Sequence, residues 1–221
     1  MEKLRHIGFI MDGNRRWAKA RGLSHEAGHY EGVEALKRVV RACSELKVEY
    51  VSVFAFSTEN WKRTKREVDA IFELVEKFSK TPPEEIRLKF SGSIDKLPQK
   101  IVDAVRFAEE KTKNNGGLLL NICLNYGGRD EIVNAVNKIL DKKLSRVGEK
   151  TLEKYLDTYP LPPLDAVVRT GGEMRLSNFM LYSAAYAELF FIDTLWPDIT
   201  EKDILSVYEK YLSRQRKFGG D

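Results

Sequence analysis

Ile7-Gly8-Phe9-Ile10-Met11-Asp12-Gly13-Asn14-Arg15-Arg16-Trp17 is the stretch from which the rest of the chain is read. A short apolar run breaks off into a carboxylate, a glycine, an amide and two guanidiniums. Its brevity and its turn-residue boundary make the run a buried strand. In an open α/β sheet, ligands bind outside the carboxyl ends of the strands, and Asp12 would sit at such an end. The Gly13 backbone and the Arg15-Arg16 pair offer donors and fixed positive charge to an anion. A lone carboxylate beside two arginines suggests a divalent metal carrying phosphate oxygens. The same residues alone read equally well as a strand, an Asp-Gly turn and solvated arginines.

Working outward, Ser24 caps a helix whose Val33, Leu36, Val39, Val40, Cys43 and Leu46 recur at helical spacing. The β-branched and aromatic run from Val48 to Phe56 is a second strand, ending in Ser57-Thr58-Glu59-Asn60-Trp61-Lys62-Arg63. Thr64 and Glu67 form a capping box for a helix that buries Val68, Ile71, Phe72, Val75 and Phe78, and Thr81-Pro82-Pro83 stops it. A strand from Ile86 to Phe90 and a helix from Ile101 to Thr112 follow. Leu118 to Leu124 is almost continuously apolar, as a strand buried on both faces should be. It ends in Asn125-Tyr126-Gly127-Gly128-Arg129-Asp130 and passes into a helix through Leu140. A charged helix near Thr151 to Thr158, a strand from Asp165 to Val168, a helical segment from Phe179 to Tyr186 and a last strand from Leu189 to Ile192 complete the series. Thr200 caps the final helix, which leads to a basic tail. Strands alternating with helices imply a single α/β domain over residues 1–221, with a mainly parallel sheet of about six strands flanked by helices. Four strands end in polar clusters, which the strand-end rule brings to one rim.

Composition narrows the function. With 221 residues, 43% hydrophobic and 32% charged, the chain is globular and large enough for one substantial core. A net charge of +4 permits an anionic ligand, and cations spread among 33 acids argue against a dedicated nucleic-acid partner. Two isolated cysteines fit a reducing interior. No leader pattern and no apolar stretch near the roughly 18 residues of a span are visible, so a soluble, cytoplasmic protein is expected.

One motif competes. His25-Glu26-Ala27-Gly28-His29 matches the H-E-x-x-H signature of zinc peptidases, but His6 is the only other histidine, and Gly28 weakens the helix the geometry needs. No G-x-x-x-x-G-K-[ST] loop, no G-x-G-x-x-G after the first strand and no Asp-Asp pair is present.

Taken in order, the polar clusters resemble the cis-prenyltransferases, the undecaprenyl (or dehydrodolichyl) diphosphate synthase family. The resemblance is carried by Met11 to Trp17, Gly28-His29, Phe56 to Trp61 with Arg63, Asn125 to Arg129, Arg169 to Glu173 with Arg175 to Phe179, and Ala185-Tyr186-Ala187-Glu188. It implies elongation of an allylic diphosphate by isopentenyl diphosphate, with a cis double bond made at each step. It further implies that Asp12 holds Mg2+ and helps the allylic diphosphate depart, and that Glu188 is a second magnesium ligand. Gly13, Asn14, Arg15 and Arg16 with His29 would cradle the allylic diphosphate, flanked by Trp17 and reached by His25. Arg169, Arg175 and Ser177, with Leu176 between them, would grip isopentenyl diphosphate. Asn60 occupies the position of proton removal, among Ser57, Thr58, Glu59 and Trp61, and Arg63 supports the same loop. An amide is a poor base, which sets Asn60 apart from the other assignments.

The resemblance also implies an apolar tunnel for the prenyl chain, a homodimer and peripheral membrane contact through the lipid product. His25 stands where the family usually has arginine, Tyr182-Ser183 replaces the usual Trp-Gln, and Lys217 replaces the arginine of a C-terminal motif. The helix from Glu67 to Ser79 is several residues shorter than usual, which points to an altered product length. A non-catalytic accessory subunit is the alternative, and such subunits typically lack the Asp12 equivalent.

Overall fold

The computed structural model describes residues 3–144 and 146–214. Its centre is one parallel sheet in the order β3-β4-β2-β1-β5-β6. The strands are β1 (His6–Ile10), β2 (Tyr50–Ser57), β3 (Arg87–Ser91), β4 (Leu119–Tyr126), β5 (Ala166–Arg169) and β6 (Glu188–Phe191). The helices are α1 (Asn14–Ala20), α2 (His25–Glu45), α3 (Lys65–Lys80), α4 (Gln99–Thr112), α5 (Gly128–Asp141), α6 (Glu149–Tyr155) and α7 (Glu201–Ser213). The expected α/β domain with six strands is therefore observed.

Alternation along the strands divides the core between the two faces. Phe9, Val51, Val53, Leu120, Ile122 and Val168 pack into the large cluster with the apolar stripes of α2, α3, α4 and α7. Ile10, Cys123 and Val167 face the other way, onto Leu164, Phe179 and Met180. Near the amino-terminal end, that second face carries a row of buried polar side chains. Ser91 Oγ donates to Asn121 Oδ1 (2.7 Å), and Asn121 Nδ2 donates to Ser52 Oγ (3.0 Å). Ser52 Oγ lies 2.8 Å from His6 Nε2, and His6 Nδ1 lies 2.7 Å from the Pro162 carbonyl. Only a neutral ring protonated on Nδ1 completes this one-way chain, because the carbonyl can only accept. Burial holds the His6 ring down at about 4, against smaller opposing effects of the Pro162 carbonyl and Asp165.

The segment expected to be helical from Phe179 to Tyr186 is a series of turns instead. Ser177, Asn178 and Met180 take left-handed backbone angles (φ 48°, 66° and 39°), which a right-handed helix cannot repeat. The detour buries Phe179 and Met180 completely. It also lets the Asn178 carbonyl and side-chain oxygen accept from the amides of Gly128 and Arg129 (2.7 and 2.9 Å). Lys217 lies outside the described residues.

Candidate active site

The carboxyl ends of β1, β2, β4 and β5 form one rim, as the sequence led one to expect. At its middle the chain leaves β1 and turns sharply through Gly13 (φ 117°), where a Cβ would come within about 3 Å of Leu195. The buried Thr170 hydroxyl locks this turn: Oγ1 donates to the Asp12 carbonyl (2.7 Å) and accepts from the Asp12 amide (3.0 Å). The Trp196 amide donates to the same carbonyl (3.0 Å).

The Asp12 carboxylate is thereby aimed between two guanidiniums. Oδ2 accepts from Arg169 Nη2 (2.9 Å) and Oδ1 from Arg16 Nη2 (3.2 Å). Gly171 (φ 80°) makes room for Arg16, since a Cβ there would lie 2.3 Å from Nη2. Arg169 is 4% exposed; its Nη1 donates to the Arg175 carbonyl (2.6 Å) and to Ser177 Oγ (2.7 Å), while its buried Nε has no partner.

Two polar clefts meet at Asp12. One, of about 470 Å³, is lined by Gly13, Asn14, Arg15, Arg16, Lys19, His25 and His29. The other, of about 550 Å³, is lined by Ser57, Glu59, Asn60, Arg169, Ser177 and Asn178, with Phe54 at its base. Met11, Asp12 and Arg63 line both. Four Lys or Arg side chains face one carboxylate in the first cleft, which suits a polyanion such as a diphosphate. Asn14 and His29 also border an apolar throat of about 90 Å³ between α2 and α3, walled by Val33, Leu36, Ile71, Leu74 and Phe78. Past Phe78 and Leu74 it widens into a cleft of about 860 Å³.

A short helical turn, Thr58–Lys62, overhangs the second cleft. Ser57 Oγ accepts from the Asn60 amide, and Asn60 Oδ1 accepts from the Ser57 amide (3.0 Å). Three further bonds tie the loop down. Asn178 Nδ2 donates to Glu59 Oε1 (3.2 Å), Thr58 Oγ1 to Asp130 Oδ2 (3.2 Å) and Trp61 Nε1 to Asn125 Oδ1 (2.8 Å). Burial raises the Glu59 carboxyl, but its own amide, Ser57, Asn178 and Thr58 together hold it below the usual range, so it is ionised.

Residues 10–219 match the family described as "Putative undecaprenyl diphosphate synthase". The chain belongs to this family, the cis-prenyltransferases. It is 43% identical to an isoprenyl transferase of Aquifex aeolicus over 97% of this chain and 95% of that protein. It is 46% identical to an isoprenyl transferase of Leptospira interrogans, over 98% and 95%. Among solved structures it resembles lavandulyl diphosphate synthase from Lavandula x intermedia in complex with dimethylallyl diphosphate (TM-score 0.93, 33% identity, 99% of both chains). A probable undecaprenyl diphosphate synthase from Campylobacter jejuni gives a TM-score of 0.84 at 34% identity over the full length of both chains.

Several residues assigned from the cis-prenyltransferase resemblance lie off the clefts. Trp17 turns away: its indole donates to Asp198 Oδ1 (2.6 Å), and Arg21 stacks over the ring at 4.3 Å. The Arg175 guanidinium pairs with Glu173 in solvent, and only its carbonyl enters the site, through Arg169. Leu176 packs against the second core cluster. Glu188 opposes Ala166 at the amino-terminal end of the sheet, three residue pairs from the rim, where Arg214 pairs with it. Within one chain it does not meet Asp12.

The H-E-x-x-H match is also explained. Both histidines do lie on α2, but among the described residues no group of three His, Cys, Asp or Glu could hold a metal. Gly28 serves packing: a Cβ there would lie 2.2 Å from the Asn14 carbonyl oxygen, so the glycine lets α1 press against α2. Gly32, one turn on, does the same for the Asn14 side chain.

Glu67 was read as the second half of a capping box, and only the first half forms. Thr64 Oγ1 accepts from the Glu67 amide (3.4 Å), while the Glu67 carboxylate swings behind the first cleft's wall. There Oε1 accepts from Arg63 Nη1 (2.9 Å), lies 3.3 Å from His29 Nε2 and 3.9 Å from Arg15 Nε. Burial lowers the His29 pKa, with Glu67 opposing that and Arg63 adding to it. Thr170 and Asn178 were likewise missed, because a buried threonine and a left-handed asparagine have no sequence signature of their own.

Proposed function

We propose that the chain is a cis-prenyltransferase that condenses isopentenyl diphosphate with an allylic diphosphate in the presence of Mg2+. The observation that carries this is Asp12 standing between two polar, arginine-bearing clefts, only the first of which continues into an apolar throat. An allylic diphosphate would place its head among Arg15, Arg16, His29 and the Gly13–Asn14 backbone, and its chain in the throat, which serves as the start of the tunnel. Isopentenyl diphosphate would lie against Arg169, Ser177 and the loop carrying Asn60. The allylic C1–O bond then breaks, C1 joins C4 of the isopentenyl unit, and a proton leaves the isopentenyl C2.

The donor set fits magnesium bound through one carboxylate, because such ions complete their shell with phosphate oxygens and water. Bound at Asp12, the ion would neutralise the leaving diphosphate. Glu188 has no part in this reading within one chain. The arginines orient both heads, and Arg63, shared by the clefts, sets their separation. Asn60 acts by holding the loop's shape, since its oxygen is engaged by the Ser57 amide.

We extend the proposal to a homodimer, supported by the uncovered apolar stripe Val133, Val136 and Leu140 on α5 beside α6. No helix among the described residues is long and apolar enough to cross a membrane, so contact with one would be peripheral, from the cytoplasm, through the product.

The test is incorporation of radiolabelled isopentenyl diphosphate with Mg2+ and C10, C15 or C20 allylic starters, beside Asp12→Ala. Wild-type incorporation should fall by on the order of 10²–10³-fold in the variant, as when a main electrostatic stabiliser is removed. An inactive wild type would favour the accessory-subunit reading, and an undiminished variant would remove Asp12 from the mechanism.

A further inference from the structure

Glu67 is 6% exposed and stands behind the wall of the first cleft, where its carboxylate reaches three of the residues that line it. Those residues come from three different places: Arg15 from α1, His29 from α2 and Arg63 from the end of the overhanging loop. The Arg15 and Arg63 guanidiniums repel each other and would spread apart if left alone, while His29, whose pKa burial lowers, adds a neutral ring to the group. A buried carboxylate with three such neighbours is not needed as a helix cap, because Thr64 alone accepts from the Glu67 amide. Burial raises the Glu67 carboxyl, but Arg63 first, then His29 and Arg15, hold it below the usual range, so the anchor is charged at neutral pH.

We propose that Glu67 is a positioning residue that gathers Arg63, His29 and Arg15 into the wall of the first cleft, fixing the shape of the allylic-diphosphate pocket and docking the 57–63 loop against it. This rests on the reading of that cleft as the allylic site. Glu67 touches no reacting atom in this scheme. It acts through these neighbours, by hydrogen bonds to Arg63 and His29 and by charge attraction to Arg15 at 3.9 Å. Since His29 and Arg15 line only the first cleft, the effect must be unequal between the two substrates.

Steady-state kinetics and titration with inorganic pyrophosphate, on the full chain, test this with Glu67→Gln and Glu67→Asp. Gln keeps the shape and removes the charge; Asp keeps the charge and shortens the reach. Glu67→Gln should raise the allylic KM and the pyrophosphate Kd about tenfold, near the lower end of what a close charge pair contributes, because the effect reaches the ligand only through the neighbouring side chains. The isopentenyl KM should rise less, and Glu67→Asp should recover part of the loss. Equal changes in both KM values, or a drop in thermal midpoint with both unchanged, would overturn the proposal. Should Glu67→Gln fail to fold, Glu67→Asp is judged by the same inequality. If the wild type makes no product, the reaction reading fails on its own, and equal pyrophosphate affinity of wild type and variant still refutes the role of Glu67.

Discussion

Gly28→Ala separates local helix propensity from tertiary geometry, because the two give opposite signs. Gly28 lies inside α2, where alanine is favoured over glycine by about 1 kcal/mol, so propensity alone expects a more stable protein. The structure puts the new Cβ 2.2 Å from the Asn14 carbonyl oxygen, 2.9 Å from the Asn14 carbonyl carbon and 3.1 Å from the Ala18 Cβ. Carbon–oxygen contacts settle at about 3.3 Å or more, so α1 must retreat by roughly 1 Å. The obstacle is backbone, which cannot rotate aside. Overpacking of this kind costs about 1–3 kcal/mol, which leaves a net loss of about 1 kcal/mol after the propensity gain.

The larger consequence is positional. The retreating helix begins at Asn14 and carries Arg15 and Arg16, and a displacement of about 1 Å at such groups is worth on the order of 10²-fold in rate. Urea unfolding should therefore show Gly28→Ala slightly less stable than wild type, with the allylic KM raised and turnover depressed together. Gly116→Ala, where a Cβ meets nothing within 4 Å, serves as the control and should leave both unchanged. A Gly28→Ala protein that is more stable and fully active would refute the account of α1–α2 contact.

The His6 ring, at about 4 when folded against about 6.5 when unfolded, contributes stability that is complete above pH 6.5 and drains away as pH falls toward 4. The full loss is about 3 kcal/mol, and NMR should show a neutral, Nδ1-protonated His6 at pH 5; a ring titrating near its free value would contradict this. Phe78 lines both the throat and the cleft beyond it, so Phe78→Ala should shift the product ladder to longer chains, and an unchanged ladder by mass spectrometry would show that the constriction lies elsewhere.

The sheet was legible because its strands are apolar runs closed by polar turns, and each such closure arrives at the same rim. The capping residues Ser24 and Thr200 were legible for the same local reason, and both caps form. The segment from Phe179 to Tyr186 was not. Its composition suits a helix, and only the left-handed Ser177, Asn178 and Met180 exclude one, a choice imposed by burial of Phe179 and Met180 and by the bonds to Gly128 and Arg129. Glu67 shows the opposite failure. Its spacing from Thr64 satisfied a local rule, but two guanidiniums and a histidine brought together from distant parts of the chain outbid the cap for its carboxylate.

Asp12 is where these two kinds of information meet. Its place at a strand end could be read from the sequence, whereas its partners could not. Arg16 approaches one oxygen from the side of the first cleft and Arg169 the other from the side of the second. On the proposed reading, a diphosphate entering either cleft would compete with Asp12 for that guanidinium: for Arg16, which is half exposed, and for the Nη2 of Arg169, whose Nη1 is already engaged by the Arg175 carbonyl and Ser177. Occupation of both clefts would then draw both arginines off the carboxylate and leave Asp12 able to hold a cation that offsets diphosphate charge. Replacing Asp12 should then spare or even tighten ground-state binding of each diphosphate while turnover collapses, the pattern of an interaction made only in the transition state. A loss expressed mainly in KM would mean that Asp12 organises the arginines instead of serving the reaction.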